Sequence, residues 1–330
     1  MKKILLSICI ISVLAGYGQD ANFSQYNNSR LNTNPAFTGM DSSLVIAGNF
    51  RLQWPTINSN YSVTNFSIDK YCRALRGGLG INYLYDYQMQ GAYIKSRIEL
   101  NYAPHFELFK HKLVLIPAIQ IGYLQNKLDF SKLTYGDMID DRRGFIYTTN
   151  EISGIGRKSG IDLSAGLLLY TNTFFGGIAA HHLTQPDEGV IGPSPLQMKV
   201  TIHAGANFVF KNDSTRKFIL SPALLYMQQQ NFNMLLPGIT AKYKCISLGI
   251  SYRNKDAFIT TLAFQNKFLR LGYSYDYTTS TLLNKNTGGS HEIGLTWFIN
   301  FKKKDSALHI LRWPISFKKR NCEIRTLRMI

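Results

Sequence analysis

Three short stretches carry residue types suited to chemistry. Asp137, Asp140 and Asp141 gather carboxylates, the hard oxygen donors that Ca²⁺ prefers. Arg142 and Arg143 follow at once and neutralise them, so a solvated loop is the stronger reading. His181 and His182 are adjacent, and on a strand neighbouring side chains point to opposite faces, so the pair is not expected to chelate one ion. Gly154-Ile155-Gly156-Arg157-Lys158-Ser159-Gly160 has the composition of a phosphate loop, yet it precedes a strand pattern instead of opening a helix. No Gly-x-Ser-x-Gly elbow or Ser/His/acid trio stands out. These residues point to a protein that is not an enzyme and has no cofactor and no bound metal.

The elements that would position such residues are strands. The chain has 330 residues, of which 45% are hydrophobic, 13% aromatic and only 17% charged. Aromatic and β-branched residues abound, which excludes disorder. Beyond the N-terminus no run of eighteen apolar residues occurs, which excludes a helical membrane protein. Period-two alternation recurs instead: Ile293, Leu295, Trp297 and Ile299 share one face against Glu292, Gly294 and Thr296. Leu79 to Tyr87 and Val200 to Phe210 repeat it. About fourteen such runs are predicted: 44–52, 61–69, 77–88, 93–108, 112–125, 161–171, 174–183, 198–210, 217–228, 234–243, 245–253, 257–265, 268–277 and 290–301.

Most runs reach the nine to eleven or so residues a tilted strand needs to cross a bilayer, longer than is usual in soluble sandwiches. Arg97, Glu99, Asn101, Arg270 and Asp276 lie on the second face and suit a solvated lumen. Tyrosines near strand ends, such as Tyr83, Tyr85 and Tyr87, fit interfacial girdles. In lipid every backbone polar group must be paired, so the sheet must close. The fold class is therefore all-β, a transmembrane antiparallel β-barrel of about 14 strands. Short connections (70–76, 109–111, 172–173, 211–216, 244, 266–267) alternate with longer ones (53–60, 89–92, 126–160, 184–197, 229–233, 254–256, 278–289), as periplasmic turns and external loops should.

The flanks divide the chain further. Residues 1–18 read as a signal peptide, with Lys2 and Lys3 before the apolar Ile4–Leu14 and a small-residue cleavage site at Gly16-Tyr17-Gly18. Residues 19–43 form a polar, turn-rich segment expected in the periplasm or plugging the lumen, ahead of the barrel at 44–301. The basic tail at 302–330 carries nine Lys and Arg against Asp305 and Glu323, suited to an acidic partner or lipid headgroups. Cys72, Cys245 and Cys322 have neither disulfide-framework nor metal-ligand spacing. The net charge of +17 is spread along the chain with no recognition module, which argues against nucleic acid.

Ordered motifs add a resemblance. Phe23-Ser24-Gln25-Tyr26 and Asn34-Pro35-Ala36-Phe37-Thr38-Gly39 are followed by Gln53-Trp54-Pro55. Then come Tyr135-Gly136-Asp137-Met138-Ile139-Asp140 with Gly144-Phe145, Phe175-Gly176-Gly177, and His182-Leu183-Thr184-Gln185-Pro186. From about residue 20 to about 301 the chain resembles the PorP/SprF family of Bacteroidetes outer-membrane proteins. It departs in a more polar stretch between Tyr26 and Asn34 and in a longer tail. The resemblance implies a type IX secretion system component, reached through a cleaved signal peptide. Its partners would be a secreted surface adhesin used in gliding or adhesion, a periplasmic secretion-ring lipoprotein, or both, with outer-membrane lipids around it. The motif residues Phe23 to Tyr26, Asn34, Pro35, Gly39, Gln53, Trp54, Pro55, Gly136, Asp137 and His182 to Pro186 are candidates for partner contact or for fixing loops and sealing the lumen. The rival reading is a channel or transporter for small solutes, with Arg97, Glu99, Arg270 and Asp276 setting selectivity.

Overall fold

The computed structural model describes residues 20–57, 61–109, 112–151, 154–213, 216–280 and 284–300. The signal-peptide and basic-tail expectations, 1–18 and 302–330, lie outside the described residues.

Fourteen strands span the described residues: β1 Leu44–Gln53, β2 Tyr61–Cys72, β3 Gly77–Gln88, β4 Tyr93–Pro104 (continued by Phe106–Leu108), β5 Leu113–Asp129, β6 Ile155–Tyr170, β7 Phe174–His181, β8 Lys199–Ala206 (continued by Phe208–Asp213), β9 Arg216–Gln229, β10 Phe232–Tyr243, β11 Ile246–Arg253, β12 Ala257–Gln265, β13 Leu269–Thr278 and β14 Ser290–Ile299. Each pairs antiparallel with its neighbours in sequence, and β1 pairs with β14 from Leu44↔Ile299 to Gln53↔Ser290. The sheet thus closes on itself and leaves no long edge, the condition lipid imposes.

The alternation sets which face is which. On β1, Val45, Ala47, Asn49 and Arg51 are buried inside, while Phe50 is exposed outside. On β3, Asn82, Leu84 and Asp86 face in and Leu79, Ile81 and Tyr83 face out. Large exposed apolar side chains recur around the whole outer wall, from Leu100 and Ile121 through Ile202 and Leu248 to Leu295 and Trp297. Such a continuous band belongs against acyl chains.

Two segments differ from expectation. β5 and β6 run 17 and 16 residues, well beyond a bilayer crossing, because their upper halves keep pairing up to Asp129↔Ile155. Gly154–Gly160 is accordingly not a loop: from Ile155 onward it is strand. The long connection shrinks to 130–154 and holds a small hairpin, Ile139–Asp140 against Gly144–Phe145.

The lumen is filled by protein. Residues 20–43 run through it as coil, a one-turn helix α1 (Arg30–Thr33) and a 3₁₀ turn (Pro35–Phe37). Asn34 precedes proline and is extended, at φ −155° and ψ 121°, as the Cδ clash requires, and its side chain caps the 3₁₀ turn by accepting from the Ala36 N–H. Leu31, Ala36, Phe37 and Met40 pack on Ala103, Val114, Ile116, Ala118 and Leu168 of β4, β5 and β6. The apolar core of this barrel therefore lies between plug and wall.

Candidate functional site

Three charge clusters bolt the plug to the wall. At its start, the Asp20 carboxylate accepts from Lys199 Nζ at 2.7 Å and Arg97 Nη1 at 3.2 Å, and meets His182 Nε2 at 2.8 Å. His182 Nδ1 lies 2.6 Å from Asp162. With a carboxylate at each ring nitrogen, the imidazolium form donates to both. Burial alone would raise the pKa of Asp20, but Lys199, His182 and Arg97 outweigh it and hold the carboxyl well below the usual carboxylate range.

The second cluster surrounds Ser24. Its hydroxyl accepts from Arg51 Nη1 at 2.6 Å and Arg253 Nη2 at 2.7 Å and donates to Asp276 at 2.7 Å, which uses its full capacity. Arg51 also pairs with Asp276 at 2.8 Å, and Glu292 accepts the backbone N–H groups of Ser24 and Gln25 at 2.7 and 3.0 Å. The third cluster joins Arg30 to Asp41 at 2.7 Å and Asp69 at 3.1 Å, and Asp69 also accepts the Gly39 N–H. Burial opposes the charge on Arg30, and Asp69 and then Asp41 overcome it, so the guanidinium stays charged.

Several predicted positions converge on this sealed lumen. Phe23 packs with Val63 and Leu84, and Tyr26 against Leu225, Met227, Met234, Leu236 and Ile259. Asn34 Nδ2 reaches the carbonyls of Leu167 and Ile178 and lies 3.0 Å from His203 Nε2, while Pro35 sits against Gly166. Gly39, at φ +71°, lies directly on Gly78 of β3, and a Cβ on Gly78 would strike the backbone of Thr38 and Gly39.

The other predicted positions lie elsewhere. Gln53 ends β1, and Trp54 donates its N–H to the Gly289 carbonyl and meets the Tyr61 ring edge-on at 5.6 Å. Pro55 adjoins Gly288. Gly136 and Asp137 belong to the exposed loop, where Asp137 accepts from Thr149 and Asn150 while Asp140 accepts from Arg142, Arg143 and Tyr147. Two of the three acidic residues are thus engaged in loop hydrogen bonds. Leu183 N–H pairs with the Leu163 carbonyl, Thr184 Oγ1 with the Ile161 carbonyl, and Gln185 N–H with the His182 carbonyl. Pro186 abuts Gly160 and accepts from Leu196 N–H, so residues 184–197 fold over the projecting end of β6.

One expectation fails on geometry. His181 and His182 do not face opposite ways; both are buried in the lumen, with ring centroids 6.2 Å apart. His182 follows the last residue of β7 and takes φ +60°, which turns its side chain back inward. The polar second face likewise points into the lumen but is not solvated: Arg97, Glu99, Asn101 and Asp276 are buried beneath the plug. Sequence reasoning missed Asp20, Arg51, Asp162, Lys199 and Arg253, and placed Glu292 on the polar face without giving it a role. The available signal was a charge between outward apolar residues, as in Phe50-Arg51-Leu52.

Known proteins supply the remaining observations. Among solved structures, a variant of TodX, a monoaromatic hydrocarbon channel, is similar at 11% identity and TM-score 0.46, covering 83% of this chain and 94% of that one. CymD, also a monoaromatic hydrocarbon channel, is similar at 12% identity and TM-score 0.42, covering 87% and 96%. BamA from Haemophilus ducreyi lacking POTRA domains 1–3 is similar at 10% identity and TM-score 0.40, covering 78% and 70%. No curated protein matches the chain. A family model described as type IX secretion system membrane protein PorP/SprF matches residues 15–297. The chain belongs to that family.

Proposed function

We propose that this PorP/SprF barrel is a non-enzymatic scaffold of type IX secretion in the outer membrane, which assists export or surface attachment of a partner adhesin or forms part of the core envelope complex. Residues 1–18 are its cleaved signal peptide, its short turns face the periplasm, and its long loops face outward. The basic tail at 302–330 is a further candidate for docking a periplasmic partner.

The observation that carries this reading is the sealed lumen. Residues 20–43 are tied to several strands of the wall, and two cavities beside them hold about 20 and 40 Å³, room for a few waters. A barrel whose polar interior is consumed in binding its own N-terminal segment has little surface left for selecting a solute. What it presents instead is outer surface and loops, chiefly 130–154 and 182–198, suited to holding another protein.

Two measurements on one preparation test it. Tagged protein solubilised from outer membranes should co-purify with a large surface adhesin or with a periplasmic ring lipoprotein, and should be silent in planar bilayers. Steady ion conductance by the intact protein, with neither partner recovered, would overturn the scaffold reading in favour of the solute channel.

A further inference from the structure

Seven cationic side chains are buried among the described residues: Arg30, Arg51, Arg97, Lys199, Lys242, Arg253 and Arg270. Five of them meet a carboxylate within 3.2 Å. Lys242 and Arg270 do not. The Lys242 ammonium, 1% exposed, donates to the Gln265 side-chain oxygen at 2.7 Å, and that oxygen carries no full charge. Arg270, 9% exposed, has no hydrogen-bond or ionic partner among the described residues. A charge taken out of water without a counter-charge costs several kcal/mol, so a chain that supplies carboxylates to five neighbours and none to these two leaves an unbalanced site.

The surroundings say what would balance it. Gln265 and Arg270 sit opposite each other on β12 and β13, and Lys242 opposite Ser247 on β10 and β11. Arg270 lines both residual cavities, and the larger is walled by the hydroxyls of Ser221, Thr240, Ser247, Ser251 and Thr261. A planar guanidinium beside hydroxyls that can turn to donate matches a tetrahedral oxyanion, which has several acceptors to satisfy at once.

We propose that the lumen between β9 and β13 and the plug holds a binding site for a small oxyanion such as inorganic phosphate. Arg270 grips it, Thr240, Ser247 and Thr261 donate to its oxygens, and Lys242 supplies the second positive charge. The site borders the plug at Ser24 and Gln25, which line the same cavity, and it does not depend on the secretion role.

The test is calorimetric titration of inorganic phosphate into full-length protein in detergent, in a buffer free of other phosphate or sulfate. Saturable binding is expected, with Arg270→Gln weakening it by about tenfold or more, the scale of a lost charge-assisted hydrogen bond. Phosphate should also raise the melting temperature of the wild type, and at the same concentration raise that of Arg270→Gln less. If Arg270→Gln does not assemble, Lys242→Gln keeps the guanidinium and should still weaken binding several-fold. Absence of saturable binding to the wild type, or unchanged affinity in whichever variant assembles, overturns the proposal.

Discussion

The two halves of the plug are held by different forces. From Asp20 to Asn28 it is fixed by carboxylates, guanidiniums and a fully used serine hydroxyl. From Leu31 to Met40 it is fixed by apolar packing on β4, β5 and β6, with Arg30 as the join. Charge networks are demanding in geometry and lose heavily when one member goes, whereas apolar packing degrades in proportion to the volume removed. The first half therefore specifies where the plug sits, and the second half supplies non-directional adhesion.

The largest effect is expected where the two halves are threaded past the wall. Gly78→Val drives a side chain into the backbone of Thr38 and Gly39, which cannot move aside cheaply. Dislodging the second half should cost about 4 kcal/mol or more and turn a silent barrel into a conducting one in planar bilayers. Next comes Arg51→Met, which leaves Asp276 and Glu292 short of a buried counter-charge and should cost about 3–5 kcal/mol in urea unfolding of the detergent-held barrel. Leu31→Ala tests the apolar second half: its cost should be about 2–4 kcal/mol by the same assay, with protection of the first half unchanged in hydrogen exchange. Equal loosening of both halves by either variant would erase the distinction drawn here.

Acid should separate them more gently. Asp20 has its pKa held below the ordinary 3.8, so its contribution is present above that value and is lost as pH falls through the lower, folded-state pKa. Protection of the amides near Asp20, taken relative to intrinsic exchange at each pH, should stay constant from neutral pH to about 4 and fall below it, while Ala36 and Phe37, held by apolar packing, show no matching step. The smallest effect belongs to the exposed loop. Asp187, lowered to about 2 by Lys158 and by the N–H groups of Ser194 and Gly189, organises residues 187–194. Asp187→Asn should quicken exchange at Gly189 and Ser194 and leave barrel unfolding unaltered.

Much of the wall was legible before any coordinates. The fourteen runs, their order and the outward apolar face follow from local alternation, and the segregation of short and long connections follows from strand count. Legibility failed where pairing outran the pattern. β6 begins at Ile155, not 161, because Gly156, Lys158 and Gly160 read as loop residues until β5 is placed beside them. The motif residues from Phe23 to Gly39 were recognisable as a block, but their work was not. Ser24 meets Glu292 across 268 positions of sequence, and no local pattern at either end announces the other.

The division has a physical cause. Strand period and turn composition are properties of neighbouring residues, so the sequence by itself determined a closed, outward-apolar barrel of fourteen strands. The occupant of the lumen, the inward turn of His182 and the two cations without carboxylates depend on which distant side chains share a small, enclosed volume, and only the tertiary structure brings those together.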